Sequence, residues 1–263
     1  MCYDIAFYSA LELIDGYFPN IVRDGDIEFN FEAGVHIMGH AYGEHPIIYT
    51  NREDGLPHLR MMEWGCVPFY VKDLKQFARQ RPTMLNARSE RILGDEKSYW
   101  FKIRNRRCLI PVSGFYEHRA IKGWKKKVPY FIKLKNDEIL FIPGLYSVVE
   151  LPDLETGELL KRLTFTLITR DANEVMKQIH NDGENKWRMP LLLPFELSQA
   201  FIADDLTTEK YIEILGFEMP SSELDYWPVF TIRSPKGRPD NKIKNEYWKW
   251  EDLPELESGN PNL

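Results

Sequence analysis

The chain has 263 residues, 43% of them apolar and 13% aromatic, which is ample for the packed core of one large domain or two small ones. Its formal charge of −6, taken whole, argues against a nucleic-acid binder. The opening lacks a basic segment and carries Asp4, Glu12 and Asp15, and its longest apolar runs, VPFYV and MPLLLPF, are too short to cross a bilayer, so a soluble, unsecreted, cytoplasmic chain is expected. Cys2, Cys66 and Cys108 are an odd count without CxxC or Cys/His spacing, which suggests neither a disulfide framework nor a zinc site.

In chain order, SALELIDGYF at 9–18 has the spacing of a capping box, Ser9 then Glu12, with Leu11, Ile14 and Phe18 at helical intervals, and predicts a short helix. VHIMGHAY, PIIYTN and MEWGCVPFY are strand-like, and VKDLKQFARQ predicts a helix that stops near Pro82. RCLIPVSGFYEH, VPYFIKLK, EILFIPGLYSVVEL and LLKRLTFTLITR predict strands joined by short polar turns. Thr169 and Asp171 can both cap the helix ANEVMKQIH, which carries His180 at its end. MPLLL predicts a buried strand, and FELSQAFIA and TTEKYIEIL predict helices. From Pro254 onward, PELESGNPNL predicts a disordered tail, 254–263. Short strands and helices without a regular βαβ rhythm indicate a single α+β domain over 1–253, a curved or barrel-like, mainly antiparallel sheet with peripheral helices.

The charge is unevenly spread. Between Lys102 and Lys135 lie eleven Lys or Arg and one acid, Glu117. Such a run is usually a solvated surface, and alternatively a phosphate-facing patch. Strand alternation puts Phe115 and Glu117 on one side, Tyr116 and His118 on the other, and a lone carboxylate in so basic a window is either neutralised by its neighbours or a proton-transfer group. Asn86 and Arg88, two apart, share a face when extended and offer an amide beside a guanidinium, a pair suited to sugar or phosphate oxygens as well as to ordinary loop contacts. His180 ends its helix beside an Asn-Asp-Gly turn, where it serves as a C-cap or as an acid/base group. Cys2 stands directly behind Met1. Once Met1 is removed, its amine and thiol lie on adjacent carbons; an aldehyde meets the amine first as an imine, and the neighbouring sulfur closes a five-membered ring.

Together, Cys2 after Met1, WGCVP (64–68), NARSE (86–90), RCLIPVSGFYEH (107–118), FIPGLY (141–146), FTLITRDAN (165–173), and His180 with RMPLLL (188–193) resemble, in order, the SOS response-associated peptidase (SRAP) family of abasic-site crosslinking proteins. The resemblance implies that Cys2 is the nucleophile that traps the open-chain aldehyde of an abasic deoxyribose in single-stranded DNA as a thiazolidine. It further implies that Glu117 and His180 are the acid/base pair, that Asn86 bonds the opened sugar, and that Arg88 binds phosphate. Trp64 is implied to line the DNA-binding face, where a ring could stack on a base, with Arg188 contributing to strand binding. Self-removal of Met1 by peptidase-like cleavage, possible lyase activity, a monomeric state and action in the DNA damage response at the nucleoid are implied too, without cofactor, metal or membrane.

Three departures stand out. Tyr3 and Asp4 replace the family's Gly-Arg, and Asp4 is expected to repel a backbone phosphate; NDGENKW separates His180 from Arg188; and His118 stands where tryptophan is common. The rival readings are a thiol peptidase acting on proteins with Cys2 as nucleophile, a non-covalent single-stranded nucleic-acid binder using the 102–135 window, and an inert structural protein.

Overall fold

In the computed structural model the described residues are 2–9, 11–25, 27, 33–153, 156–234 and 237–257. In chain order the elements are β1 (Asp4–Ala6), α1 (Glu12–Tyr17), β2 (Val22–Arg23), β3 (Ile37–Met38), β4 (Glu44–Thr50), β5 (Pro57–Trp64), α2 (Leu74–Phe77), β6 (Asn86–Arg88), α3 (Glu90–Leu93) and α4 (Tyr99–Lys102). There follow β7 (Arg107–Val112), β8 (Gly114–Arg119), β9 (Val128–Leu134), β10 (Leu140–Pro152), β11 (Leu159–Asp171), α5 (Glu174–Ile179), β12 (Arg188–Pro190), α6 (Phe195–Ile202), α7 (Thr208–Gly216) and β13 (Leu224–Pro228).

Strands β11, β10, β7, β4 and β5 are neighbours in that order, and β5 returns to pair parallel with β11 through Thr164↔Glu63 and Phe165↔Trp64. The result is a closed five-stranded barrel. A second sheet, in the order β13-β9-β8-β1-β3, packs against it, and its pairings are antiparallel throughout. The single α+β domain, with barrel and peripheral helices, is the architecture expected from the sequence.

The unbroken apolar run in β7 follows from burial on both faces. Cys108, Ile110 and Val112 share a core cluster with Ile47, Phe165, Ile5, Phe115 and Ile132, joining the barrel to the second sheet. Leu109 points the other way, with Ile48, Leu59, Phe141 and Ile168, against Ile14 of α1, Phe201 of α6 and Ile214 of α7. Tyr116 and Phe131 line the outer face of the second sheet with Ala6, Val229 and Ile232. The alternation expected along 115–118 is therefore observed: Phe115 and Glu117 face the barrel side.

Several local expectations are revised. RCLIPVSGFYEH is two strands, because at Ser113 the chain leaves the barrel for the second sheet; Ser113 N–H donates to the Ala6 carbonyl at 2.7 Å, and its hydroxyl accepts from Tyr8 N–H at 3.1 Å. Ser9 does not cap α1: its hydroxyl lies 2.9 Å from that of Ser113 and donates to the Glu138 carbonyl at 3.2 Å. Helix α5 is capped by neither Thr169 nor Asp171 but by Asn173, whose Oδ1 accepts from Met176 N–H at 3.0 Å. The helix around VKDLKQFARQ shrinks to α2, capped by Asp73, and a 3-10 turn at Arg81–Met84 takes Pro82 near its start. Part of the tail expected to be disordered is anchored, since Arg119 donates to the carbonyls of Pro254 and Glu255, and Glu257 N–H to Gln178 Oε1. Residues 258–263 of that tail lie outside the described residues. Among the described residues no helix is long and apolar enough to cross a membrane.

Gly114 begins β8 because nothing larger fits: a Cβ there would lie 2.3 Å from the Phe131 ring and 2.7 Å from the Ile132 carbonyl oxygen. Since backbone and a buried ring both block the site, Gly114→Ala is expected to destabilise the protein by about 1–3 kcal/mol. An unchanged midpoint in denaturant would show that the β8–β9 seam relaxes freely.

Candidate active site

The site is assembled where the start of the chain enters the second sheet. β1 pairs with β8 through Asp4↔Tyr116, Ile5↔Phe115 and Ala6↔Gly114, so continuing that antiparallel register brings Tyr3 level with Glu117 and Cys2 level with His118. On the barrel side β6 pairs parallel with β11, which orients Asn86. Asn86 Nδ2 donates to the Cys2 carbonyl at 2.9 Å, tying the first described residue to the barrel from 84 positions away. Cys2 is fully buried, and its thiol donates to the Asp4 carbonyl at 3.7 Å.

Glu117 and His180 approach from different elements, β8 and the C-terminal end of α5, with 3.9 Å between Glu117 Oε2 and His180 Nε2. That separation is too long for a direct hydrogen bond and short enough for one shared proton carrier. His180 Nδ1 lies 2.7 Å from the Arg188 carbonyl oxygen and 3.3 Å from the Arg188 backbone nitrogen; the shorter contact favours Nδ1–H as donor, which turns Nε2, as an acceptor in the neutral ring, toward Glu117. Burial, reinforced by the Asp4 charge, pushes the Glu117 carboxyl from the ordinary value of 4.5 up to about 8. Burial, reinforced by Lys127, pushes His180 down to about 4 against the raising effect of its Arg188 contact. At neutral pH the pair is thus a carboxylic acid and a neutral imidazole. His118, on the opposite face of β8, is likewise driven by burial to about 4.

Two buried acceptors at this site lack hydrogen-bond partners among the described residues, Glu117 Oε1 and Asn86 Oδ1. An unpaired buried polar atom costs roughly 1–3 kcal/mol, and groups of this kind with displaced pKa values gather where chemistry is done. Burial also raises the Cys2 thiol well above its usual range, with Glu117 and Asp4 adding to the effect, so its sulfur is held as a thiol. Among the described residues no three His, Cys, Asp or Glu side chains gather as a metal site.

The structure brings together Cys2, Asn86, Glu117 and His180, and leaves Arg88 exposed at the outer end of β6, its guanidinium donating to Asn185 Oδ1 at 3.1 Å. Two expectations are corrected. Trp64 is a core residue, 1% exposed, donating from its indole to the Leu85 carbonyl at 3.0 Å and stacked on Phe165, so its ring offers no face to a base. Exposed rings follow it in sequence at Phe69 and Tyr70. Arg188 is buried and engaged by Glu90, Asp171 and the Thr169 carbonyl, which makes it a brace between β12, α3 and β11. The basic window is similarly drawn into the fold in part: Arg104 donates to the Phe101 carbonyl, Arg107 to those of Phe201 and Ala203, and Arg119 to those of Pro254 and Glu255.

Sequence reasoning missed what happens to Asp4. Its carboxylate is buried between His36 Nε2, at 2.8 Å, and the Arg233 guanidinium, which engages both oxygens. Burial alone would raise its pKa, but the hydrogen bonds from His36 and Arg233 hold it below the usual carboxylate range. The Asp4 charge is therefore matched within the protein. Arg233, half-exposed and 229 positions away, gave no local signal in the sequence. Because the folded-state pKa of Asp4 lies below its unfolded value, the stabilisation is present above the unfolded value and fades as pH falls through the folded one. Arg233→Met is expected to lower stability by about 1–2 kcal/mol at pH 7, discounted for the exposure of the guanidinium, and by less at low pH. Urea titrations at both pH values check this; a loss that grows on acidification would contradict it.

Residues 13–232 match the family model described as SOS response associated peptidase (SRAP), a span that holds Asn86, Glu117 and His180 and begins after Cys2. The abasic site processing protein YMR114C of Saccharomyces cerevisiae is 32% identical over 177 residues, 65% of this chain and 43% of the relative. YoaM of Bacillus subtilis, also named an abasic site processing protein, is 28% identical over 239 residues, 90% of this chain and 95% of its own length. The chain thus spans less than half of the yeast relative and nearly all of the bacterial one. A crystal structure of a protein from Bacteroides thetaiotaomicron matches with a TM-score of 0.70 and 25% identity, covering 87% of this chain and 92% of that one. A Bordetella bronchiseptica protein with a TM-score of 0.66 and 19% identity, covering 88% of this chain and all of that one, shares the fold. With the family model covering the barrel, every strand of the second sheet but β1, and three of the four grouped residues, the chain belongs to the SOS response associated peptidase family.

Proposed function

We propose that this protein captures abasic sites in single-stranded DNA as a covalent thiazolidine through Cys2, after Met1 has been removed. The observation that carries the reading is the convergence on Cys2 of a buried, protonated Glu117 and a neutral His180, each shifted from its ordinary pKa toward the uncharged form. The names of the relatives, abasic site processing proteins, supply the substrate class.

The geometry supports an order of events. With its sulfur held as a thiol, Cys2 acts first through the terminal amine, which adds to the C1′ aldehyde of the opened sugar. Glu117 donates its proton to the carbinolamine hydroxyl, which leaves as water and gives the protonated imine, an iminium ion that keeps the amine N–H. The Glu117 carboxylate so formed accepts the Cys2 thiol proton as sulfur adds to the imine carbon, closing the ring and restoring the acid. Aldehyde, amine and thiol become thiazolidine and water, with no net proton consumed. His180 Nε2 takes and returns the proton that moves when the sugar ring opens. Asn86 Oδ1, unpartnered among the described residues, accepts from a sugar hydroxyl, and Arg88 pairs with a flanking phosphate. A single strand suits this site, because a buried terminus can be reached only by a sugar drawn out of its stack. The same terminus requires cleavage behind Met1, which we assign to the protein itself, and loss of a C2′ proton from the iminium with departure of the 3′ phosphate gives a route to strand scission. We propose that it acts as a monomer in the cytoplasm, at damaged DNA. The thiol-peptidase alternative needs a thiolate, and the burial of the Cys2 sulfur works against one.

Intact mass before and after incubation with an abasic oligonucleotide is expected to show loss of methionine and gain of the strand, and Cys2→Ala to abolish the denaturant-resistant adduct; an adduct that survives Cys2→Ala contradicts the mechanism. The wild-type rate is expected to fall as pH rises through about 8, where Glu117 loses its proton. Glu117→Gln should lower the plateau and remove that limb, and an identical pH profile in the variant would deny Glu117 its role. Arg88→Glu should weaken binding and reduce the salt slope by about one. Arg188→Lys is expected to lower stability while leaving that slope unchanged; equal slopes in wild type and Arg88→Glu would remove Arg88 from the phosphate path.

A further inference from the structure

The NDGENKW segment that separates His180 from Arg188 is a braced loop. Asn181 pairs with both backbone groups of Ala120, its Oδ1 accepting from N–H at 2.8 Å and its Nδ2 donating to the carbonyl at 3.0 Å. Lys127 and Asp182 form an ion pair at 2.8 Å, and Asn185 receives the Arg88 guanidinium. The loop closes on itself at Trp187, whose N–H donates to the His180 carbonyl at 2.8 Å and whose carbonyl accepts from Ala172 N–H at 2.9 Å.

Held on both sides, Trp187 has φ +63, in the left-handed region. For a bulky aromatic residue that conformation is an outlier, and glycine or asparagine would adopt it with less strain. The ring that the strained backbone carries is not used in the core: it is 49% exposed, with the Lys186 ammonium 4.2 Å from its centroid. A large flat ring positioned by a rigid loop, kept half in solvent and accompanied by a cation, is the arrangement with which proteins hold the bases of a single strand. Its place in the site is set by two contacts already described, the peptide hydrogen bond to His180 and the link through Asn185 to Arg88.

We propose that Trp187 is a base-stacking platform for the nucleotide beside the captured lesion, with Lys186 and Arg88 flanking it as phosphate contacts. The assignment rests on the strand-capture reading above and gives to Trp187 the stacking role that the buried Trp64 does not fill. It makes the loop, which lengthens the path from His180 to Arg188, part of the strand-binding surface.

Full-length wild type, Trp187→Ala, Trp187→Phe and Trp187→Gly are to be compared on abasic oligonucleotides whose neighbouring nucleotides carry either adenine or no base. Wild type should capture the adenine-flanked strand faster; Trp187→Ala should slow that strand about tenfold and erase the difference, and Trp187→Phe should keep most of it. Trp187→Gly should show the same loss with a melting temperature no lower than wild type, because glycine relieves the positive φ; a structural role would lower it. Undiminished base dependence in Trp187→Ala overturns the proposal, as does an equal slowing on both strands, which would point to a protein-facing or structural ring. A second arm, in a Cys2→Ala background with an undamaged fluorescent strand, separates the two readings. Weakened binding by Trp187→Ala there, with no adduct in wild type, sustains the stacking role and removes the crosslinking chemistry. An adduct in wild type with unchanged strand affinity in Trp187→Ala does the reverse.

Discussion

A glutamate carboxyl buried beside Cys2, with one oxygen lacking a partner among the described residues, is the constraint on which the rest of this structure depends. Burial is the main force that carries Glu117 to about 8, and burial likewise carries His180 to about 4. Two groups that would attract each other as ions are thereby kept uncharged, which avoids the desolvation cost of a buried ion pair and leaves a proton available at neutral pH. The 3.9 Å between them preserves that state, since a shorter contact would favour the charged pair.

The fold supplies this environment by bringing two sheets together at a switch. β7 belongs to the barrel and β8 to the second sheet, with Ser113 alone between them, so Glu117 rides on a strand that leaves the core it has just helped to build. β1 pairs beside β8, and Asn86 of β6 takes hold of the Cys2 carbonyl from the barrel side. The terminus is thus held by both sheets at once. Asp4 would undo the arrangement if left as a bare buried anion, and His36 with Arg233 prevents that from two distant parts of the chain.

Much of this was legible from local pattern. Alternation along FYEH gave the facing of Glu117, helical spacing and the Asn-Asp-Gly turn put His180 at a helix end, and RCLIPV, VPYFIKLK and LTFTLITR marked strands, whereas the strand expected over MPLLL ends at Pro190. What the sequence concealed was non-local. The capping-box spacing at Ser9 is genuine, yet its hydroxyl found Ser113 instead. Trp64 carries a motif tryptophan whose exposure depends on Leu85 and Phe165, neither of which its neighbours reveal. Arg188 looks like a strand-binding cation until Glu90 and Asp171 are seen around it. Trp187 was visible in the segment that departs from the family pattern, but its left-handed backbone and exposed ring belong to the folded loop alone.

The protonation state of Glu117 at neutral pH is the claim that decides most. Carbon-13 NMR of the glutamate side-chain carboxyls, with Glu117→Gln to assign the resonance, follows it directly in the uncomplexed protein. The account expects Glu117 to titrate near 8, with its carboxyl shift at pH 6 that of the neutral acid. A Glu117 resonance that titrates at the ordinary value of 4.5, ionised throughout the neutral range, would contradict it.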